Sequence, residues 1–512
     1  MLVHIIIMLF LHCSQVRSYN ILAVFIHPGK SHLQMFLPLM KKLAEKGHNV
    51  TVLSHDNSEI KLENYNAVNL NGKVNLLLHS LQVGEIQNDR WEKYRSPIRF
   101  AYSGNNSCQA GLSLDRIQAF IRSNQSFDII VAEFFNSDCN LGFALKHRIP
   151  IIGISSTNLL PWMYERVGNP NNPAYMPNIF LMHSDRMNFL ERVENTVVMF
   201  IHTLYYDYII NKNDQVLIKK YFGHNLPSLH EAMFNTSLIL VNSHFSLHFS
   251  KPLVPNIIEV GGLHIGLVKR LPQNIEKWID ESTEGVIYFS LGSMIKGHTF
   301  PEDKRQEFLR AFRRLPQRVL WKWENETMNN KPDNVMINKW MPQFDVLCHP
   351  NVKAFIAHGG LLGTIEAVHC GVPVIVMPQF GDQFTNARAL EANGGGVILH
   401  LKDATEELIY KKLKTVLSPK FRQQAKDLSE RFRDRPLPPL DTAIYWVEYV
   451  ARHKGAPHMR TAAVNMPFYQ YYLLDVISFL LLVVGSVLYT LFYVGRLLLR
   501  KLLKHNAKQK TE

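Results

Sequence analysis

A chain of 512 residues exceeds one ordinary domain core and leaves room for two. Apolar residues make up 46% and charged residues 19%, a balance that excludes a disordered chain. The net charge of +13 includes Arg496, Arg500, Lys501, Lys504, Lys508 and Lys510 behind an apolar run. No zinc-finger spacing, RNP-like aromatic motif or arginine-rich arm accompanies it. That argues against a nucleic-acid partner and for a membrane-proximal basic tail.

Residues 1–18 read as a secretory signal peptide: residues 1–11 are almost wholly apolar, and Ser18 stands at the cleavage edge. Residues 19–26 form an apolar, strand-like run, broken by His27-Pro28-Gly29-Lys30-Ser31. Helical periodicity follows over 33–46, with Met35, Phe36, Leu39, Met40 and Leu43 on one face. Gly47 ends it and a strand follows over 49–53, so the unit is β-α-β and predicts a parallel sheet. The pattern returns as strand 127–132, helix 137–146 and strand 150–154. A second series begins at strand 285–290 and helix 304–315. It continues with strands 319–322, 335–338 and 354–357, helix 364–369 and strand 374–377.

Two such series predict an α/β chain of two doubly wound domains, 19–250 and 284–435, joined by a Pro- and turn-rich linker at 251–283. Pro436, Pro438 and Pro439 break the last helix of the second domain, and a separate amphipathic helix over 441–453 opens a return and juxtamembrane segment, 436–472. Residues 476–495 carry no charge, long enough to span the ~30 Å hydrocarbon core, and the predicted transmembrane helix is 473–495. The basic tail 496–512 is then cytoplasmic and the body lumenal. Lys508 and Lys510 resemble the dilysine retrieval signal of type I endoplasmic-reticulum proteins. Cys108, Cys139, Cys348 and Cys370 show no C-x-x-C spacing; a disulfide among them fits an oxidising compartment, with connectivity open.

The chemistry concentrates in residues 340–383. Trp340-Met341-Pro342-Gln343 is followed by His358-Gly359-Gly360-Leu361-Leu362-Gly363-Thr364-Ile365-Glu366, then Gly371-Val372-Pro373 and Gly381-Asp382-Gln383. His358-Gly359-Gly360 sits where a strand hands over to a helix. Glycines there let an anion approach the backbone, and the helix N-terminus attracts phosphate. Trp340 offers a flat face to a base, Glu366 an acceptor to ribose, and Asp382 and Gln383 partners for sugar hydroxyls. Taken singly, each has a bland reading: a packing Trp, a turn of glycines, a solvated Glu. Their succession in one segment favours a nucleotide-sugar site.

This stretch resembles the signature of the UDP-glycosyltransferases, and the likeness runs from about Tyr19 through Lys510, tail included. The resemblance implies the GT-B architecture, two Rossmann-like domains facing across a cleft. It assigns the uracil to Trp340 and Gln343 and the diphosphate to His358, the amides of Gly360 and Gly363, and Ser293 of the Ser290-Leu291-Gly292-Ser293 loop. Ribose falls to Glu366 and the transferred sugar to Asp382 and Gln383. Many members carry Asn where this chain has Leu362; the His-Gly-Gly-Leu-Leu-Gly form resembles the insect branch and leaves more of the phosphate contact to the backbone.

Sugar transfer to an alcohol needs a base. Within the family that base lies in a Pro-x-x-x-His spacing, reproduced by Pro28 to His32. The orienting carboxylate, an Asp in most members, corresponds to Glu133, with Asp138 the alternative. The expected reaction is an inverting, metal-independent transfer of a hexose, glucose by the insect likeness, to a hydroxyl of a small lipophilic acceptor. No cofactor or metal is expected; the partners are the UDP-sugar, the acceptor and the bilayer, with oligomerisation open. A catalytically inactive binder of lipophiles on the same fold is the alternative. A nicotinamide dehydrogenase is disfavoured, because no G-x-G-x-x-G follows the first strand.

Overall fold

The computed structural model describes residues 17–509 except 57, 59, 75 and 84–90. Nearly all of the expected signal peptide, and Lys510 of the tail, lie outside the described residues. Residues up to Arg460 form one compact unit and those from Thr461 a second.

The first unit holds two parallel sheets. Strands β1 (Asn20–Val24), β2 (Asn49–Ser54), β3 (Tyr65–Asn69), β5 (Ile129–Glu133), β6 (Ile151–Ser155), β7 (Thr236–Val241) and β8 (Ile257–Glu259) build one, ordered β3-β2-β1-β5-β6-β7-β8. Strands β9 (Val286–Ser290), β11 (Arg318–Lys322), β12 (Val335–Asn338), β13 (Val352–Ala357), β14 (Val374–Val376) and β15 (Gly396–Ile398) build the other, ordered β12-β11-β9-β13-β14-β15. Two short strands, β4 (Leu81–Gln82) and β10 (Ile295–Lys296), pair with each other.

The central strands are continuous apolar runs because helices cover both faces of a parallel sheet. Side chains alternate between those faces. Ile21 and Ala23 of β1 join the core beneath helix Lys30–Glu45, while Leu22 and Val24 join the opposite core. In each sheet the chain reverses its direction of travel once. The reversal lies between β1 and β5 in the first sheet and between β9 and β13 in the second. Loops leaving the carboxyl ends of strands diverge at such a point and open a crevice.

Two elements differ from expectation. The predicted helix 137–146 begins only at Leu141. Residues just before it are held as turns: Asn140 Nδ2 donates to Glu133 O at 2.7 Å, Asp138 N donates to Asp214 Oδ2 at 2.6 Å, and Cys139 is disulfide-bonded to Cys108. A second disulfide joins Cys348 to Cys370. The segment 251–283, expected as linker, contributes β8 to the first sheet and helix Gln273–Asp280 to the core of the second domain. Its prolines and turns punctuate short elements that the periodicity is too brief to reveal.

Helix Pro439–Arg452 crosses back to the first domain. Ala443, Ile444, Val447 and Val450 enter the core shared with helix Lys30–Glu45, and Glu448 meets Lys46 at 2.7 Å. In the second unit, helix Leu474–Gln509 is long and apolar enough over Leu474–Asn506 to cross a membrane, and the helix continues past the expected end at 495.

Candidate active site

Both crevices carry the residues singled out in the sequence. β1 ends before His27, and helix Lys30–Glu45 starts two residues before His32. Glu133 closes β5, the next strand across the reversal. His32 Nδ1 lies 2.5 Å from Glu133 Oε1. Ser156, just beyond β6, presents Oγ to the same nitrogen at 2.9 Å. The His32 side chain keeps 13% of its surface exposed, so one edge reaches the crevice, while Glu133 is buried. The two rings of His27 and His32 stand 4.5 Å apart. Gly29 makes room for them, since a Cβ there would come within 2.8 Å of the His27 ring and 3.0 Å of His32.

Burial works on both partners of the dyad in the direction of the uncharged form. It lowers His32 to about 3 and raises Glu133 to about 7. His32 is therefore a neutral imidazole near neutral pH. With its Nδ1 proton directed to a carboxylate, Nε2 is left as an acceptor for a proton, and an imidazolium formed there would face an opposite charge.

The structure brings Glu133, and not Asp138, to His32. Both Asp138 carboxylate oxygens are occupied elsewhere, Oδ1 and Oδ2 accepting from Arg166 Nη1 and Nη2 at 2.8 and 2.5 Å. Tyr206 also donates to Oδ2, at 3.0 Å. The bidentate pairing with a buried guanidinium fixes the orientation of the carboxylate.

Across the second sheet, the loop after β9 and the loop after β13 meet at the other reversal. His358 lies between two glycines: a Cβ on Gly292 or on Gly360 would come within 2.5 Å of its imidazole. Gly292 has φ +78°, a left-handed conformation that favours glycine. His358 Nδ1 is buried without a hydrogen-bond partner among the described residues. Burial, with Lys322 adding to it, lowers His358 to about 4. Lys322, at the end of β11, donates to Gly292 O at 2.6 Å and brings a cation to the loop containing Ser293. Helix Leu361–Cys370 starts at Gly360 with no side chain capping it, which leaves its first amides to an external acceptor.

Gln343 Nε2 donates to Glu366 Oε2 at 2.6 Å, and burial raises Glu366 to about 7. A Cβ on Gly363 would meet that Gln343 nitrogen at 2.9 Å, so the glycine packs the pair together. Trp340 is 61% exposed and free of the core, against the packing role a lone Trp usually has. Gln383 is committed on one side, its Oε1 accepting from the backbone of Gln379 and Phe380, which leaves its amide NH2 for a ligand. Asp382 is raised to about 6 by burial and accepts from Asn386 Nδ2 at 3.0 Å. Asn386 also donates to Gly359 O at 3.0 Å and so ties the phosphate-type loop to the Asp382 turn.

A strap joins the two crevices. Leu77 N donates to Pro28 O at 2.8 Å, and His79 N donates to Ser293 O at 2.9 Å. β4 then pairs with β10, and Phe100 lies against Gly381. Ser156, Lys322, Asn386 and this strap escaped the sequence reading. The first two share a signal that was available, a polar residue at the carboxyl end of a predicted strand.

Comparison with known proteins gives concordant matches. A family model described as UDP-glucoronosyl and UDP-glucosyl transferase matches residues 23–509. A UDP-glycosyltransferase, UGT5, of Dactylopius coccus is 45% identical over 95% of this chain and 93% of its own. A UDP-glucosyltransferase 2 of the same insect is 41% identical, covering 94% and 93%. Among solved structures, a UDP-glucose: anthocyanidin 3-O-glucosyltransferase in complex with UDP superposes with a TM-score of 0.56 at 17% identity, covering 85% of this chain and 99% of that one. That likeness is one of fold.

Proposed function

The chain belongs to the UDP-glucuronosyl and UDP-glucosyl transferase family, and from that premise we propose an inverting transfer of glucose from UDP-glucose to a small lipophilic alcohol or phenol. The observation that carries the mechanism is the His32–Glu133 contact at the carboxyl ends of β1 and β5. His32 Nε2 takes the acceptor hydroxyl proton as the oxygen attacks the anomeric carbon. The carbon–oxygen bond to the β-phosphate breaks, its electron pair leaves with UDP, and an α-linked donor gives a β-glycoside. Trp340 stacks on uracil, with Gln343 beside it and Glu366 on the ribose. His358, Ser293 and the amides of Gly360 and Gly363 meet the diphosphate, and Lys322 adds charge there. Asp382 and Gln383 hold the sugar. The step needs no metal in this reading, because imidazole, lysine and helix amides stand where charge develops.

The lipophilic acceptor is supported by the apolar wall that Phe100, Phe135, Leu160, Trp162, Phe180 and Tyr206 form together. Phe135 belongs to it and packs against the His32 ring at 4.7 Å. The glucose donor rests on the similarity to a UDP-glucosyltransferase. The protein's setting in this reading is the endoplasmic-reticulum membrane, single-pass, with the body lumenal. Two disulfides and the basic residues that follow the apolar run within the last helix support that orientation. His32→Ala, assayed for UDP release with a phenolic acceptor, should lose activity by about 10³-fold or more. Near-wild-type turnover would remove His32 from the mechanism, and a strong preference for UDP-glucuronate in a donor panel would remove glucose.

A further inference from the structure

The transfer proposed above makes no use of His27, although its ring stands 4.5 Å from that of His32. Its Nδ1 is buried and has no hydrogen-bond partner among the described residues. The same holds for Glu133 Oε2 and Asn140 Oδ1. Each of these two oxygens belongs to a group whose other end is already pinned. Glu133 Oε1 lies 2.5 Å from His32 Nδ1, and Asn140 Nδ2 donates to Glu133 O at 2.7 Å. Neither side chain can turn toward another partner without breaking one of those bonds. His27, Glu133 and Asn140 line one small space together with Ser107 and Phe135. Its volume is about 10 Å³, the room that one water molecule needs. A buried polar atom without a partner costs folding free energy, so three of them around one such space call for an occupant. The set matches a water molecule, which can accept from a ring N–H and donate to two oxygens.

We propose that one bound water bridges His27 Nδ1, Glu133 Oε2 and Asn140 Oδ1, and that through it His27 is a positioning residue for the base. The second half rests on the function proposed above, in which His32 and Glu133 act as a pair. Burial lowers His27 to about 3, so near neutral pH its ring supplies an N–H and no charge. With Nδ1 protonated, that N–H donates to the water, and the water donates to Glu133 Oε2. Hydrogen bonds to the ionised form of a carboxyl favour that form, against the burial that raises Glu133. They also leave Oε1 to His32, because both oxygens are then held. The titratable groups facing Glu133 are His32, from helix Lys30–Glu45, and His27, from the turn after β1. His55, beyond β2, faces His27 in turn and has its Nε2 3.1 Å from Ile26 O. Burial lowers all three histidines, so the carboxylate is met by neutral donors.

The test reads the protonation midpoint of Glu133 by infrared titration of the full chain in detergent, with Glu133→Gln assigning the carboxyl band. His27→Leu should raise that midpoint by about one pH unit or more, which is tenfold in the proton equilibrium. His27→Asn, whose Nδ2 can stand where Nδ1 stood, should stay within about half a pH unit of wild type. Ser107→Val, which puts methyl groups into the space, should raise the midpoint with His27 still in place. If His27→Leu fails to fold, His27→Phe makes the same comparison with a ring retained. An unmoved midpoint in the His27 variant would overturn the proposal. A raised midpoint there, with none in Ser107→Val, would overturn the water bridge. In kinetics, the acid limb of kcat/KM for a phenolic acceptor should move with the midpoint. A loss that is uniform across pH, with the limb in place, would make His27 a packing residue and overturn its positioning role. If the wild type glucosylates no phenol, the functional reading fails, and the infrared midpoints alone then decide whether His27 and the water hold Glu133.

Discussion

Replacing Glu133 by Gln keeps the shape of the side chain and removes its charge. The carboxylate oxygen lies 2.5 Å from His32 Nδ1. At an effective dielectric of ~20, an imidazolium and a carboxylate at that separation attract by about 7 kcal/mol. A Gln amide oxygen retains part of this, which leaves a loss of about 4 kcal/mol in the step that protonates His32, or about 10³-fold in kcat. KM for the UDP-sugar should barely move, because the residues assigned to the nucleotide lie in the other domain. The pH profile carries a second signature. Glu133 is raised to about 7, so the carboxylate that orients His32 is present above that value and is lost as pH falls through it. Wild-type kcat/KM should therefore climb toward neutral pH, as a property of the coupled dyad, and the variant should lack that limb. Stability runs the opposite way. A carboxyl raised above its ordinary value binds its proton more tightly in the folded state, so stability falls as pH rises from 4.5 to about 7, and the full cost of the buried charge stands above that. The Gln variant should then melt no lower than wild type at pH 8. Steady-state kinetics across pH 5–9, with thermal unfolding alongside, read both effects. Activity within tenfold of wild type, or an acid limb left in place, would refute the orienting role.

Trp340→Ala should weaken UDP binding by about 10-fold, from ~1–3 kcal/mol of lost base stacking, and leave the melting temperature unchanged because the indole is exposed; calorimetric titration of UDP measures the first and thermal unfolding the second. Gly360→Ala pushes a methyl to within 2.5 Å of the His358 ring, so UDP affinity should fall by at least an order of magnitude while the pH dependence of kcat is preserved. Asp138→Asn strands Arg166 in the core and should cost about 3–5 kcal/mol of stability, seen as a lower denaturant midpoint, with kcat of the folded fraction close to wild type.

Long periodic elements were legible in the sequence, and the site was legible where it coincided with a motif. The β-α-β unit around His32 and the segment from Trp340 to Gln383 both announce themselves through residue order along the chain. Pairings that depend on folding did not. Glu133 and Asp138 are five residues apart and chemically alike, and only the position of Arg166, contributed from beyond β6, separates the buried ion pair from the dyad. Ser156 reaches His32 across 124 residues, and Lys322 reaches Gly292 across 30. Short elements were lost for a different reason. β8 has three residues, too few for alternation to register, and its place at the sheet edge comes from hydrogen bonds to β7. Helix Phe189–Tyr205 departs from the usual rule in part, since Asn195 and His202 are buried beside Val198 and Met199 while Phe189, Leu190 and Phe200 are exposed.

Helix Pro439–Arg452 has a consequence for how this protein can be taken apart. Its side chains share a core with Leu33, Phe36 and Met40 of the helix that carries His32, and Arg460 beyond it bonds Asn235 at 2.8 Å. The half of the molecule that carries His32 is thus completed by the last segment of the compact body to leave the ribosome. A nascent chain holds that half unfinished until residue 460 has emerged. Shuffling the first domain between relatives must therefore move two separated stretches of sequence together, because a single crossover between the sheets leaves each chimera with a mismatched seam.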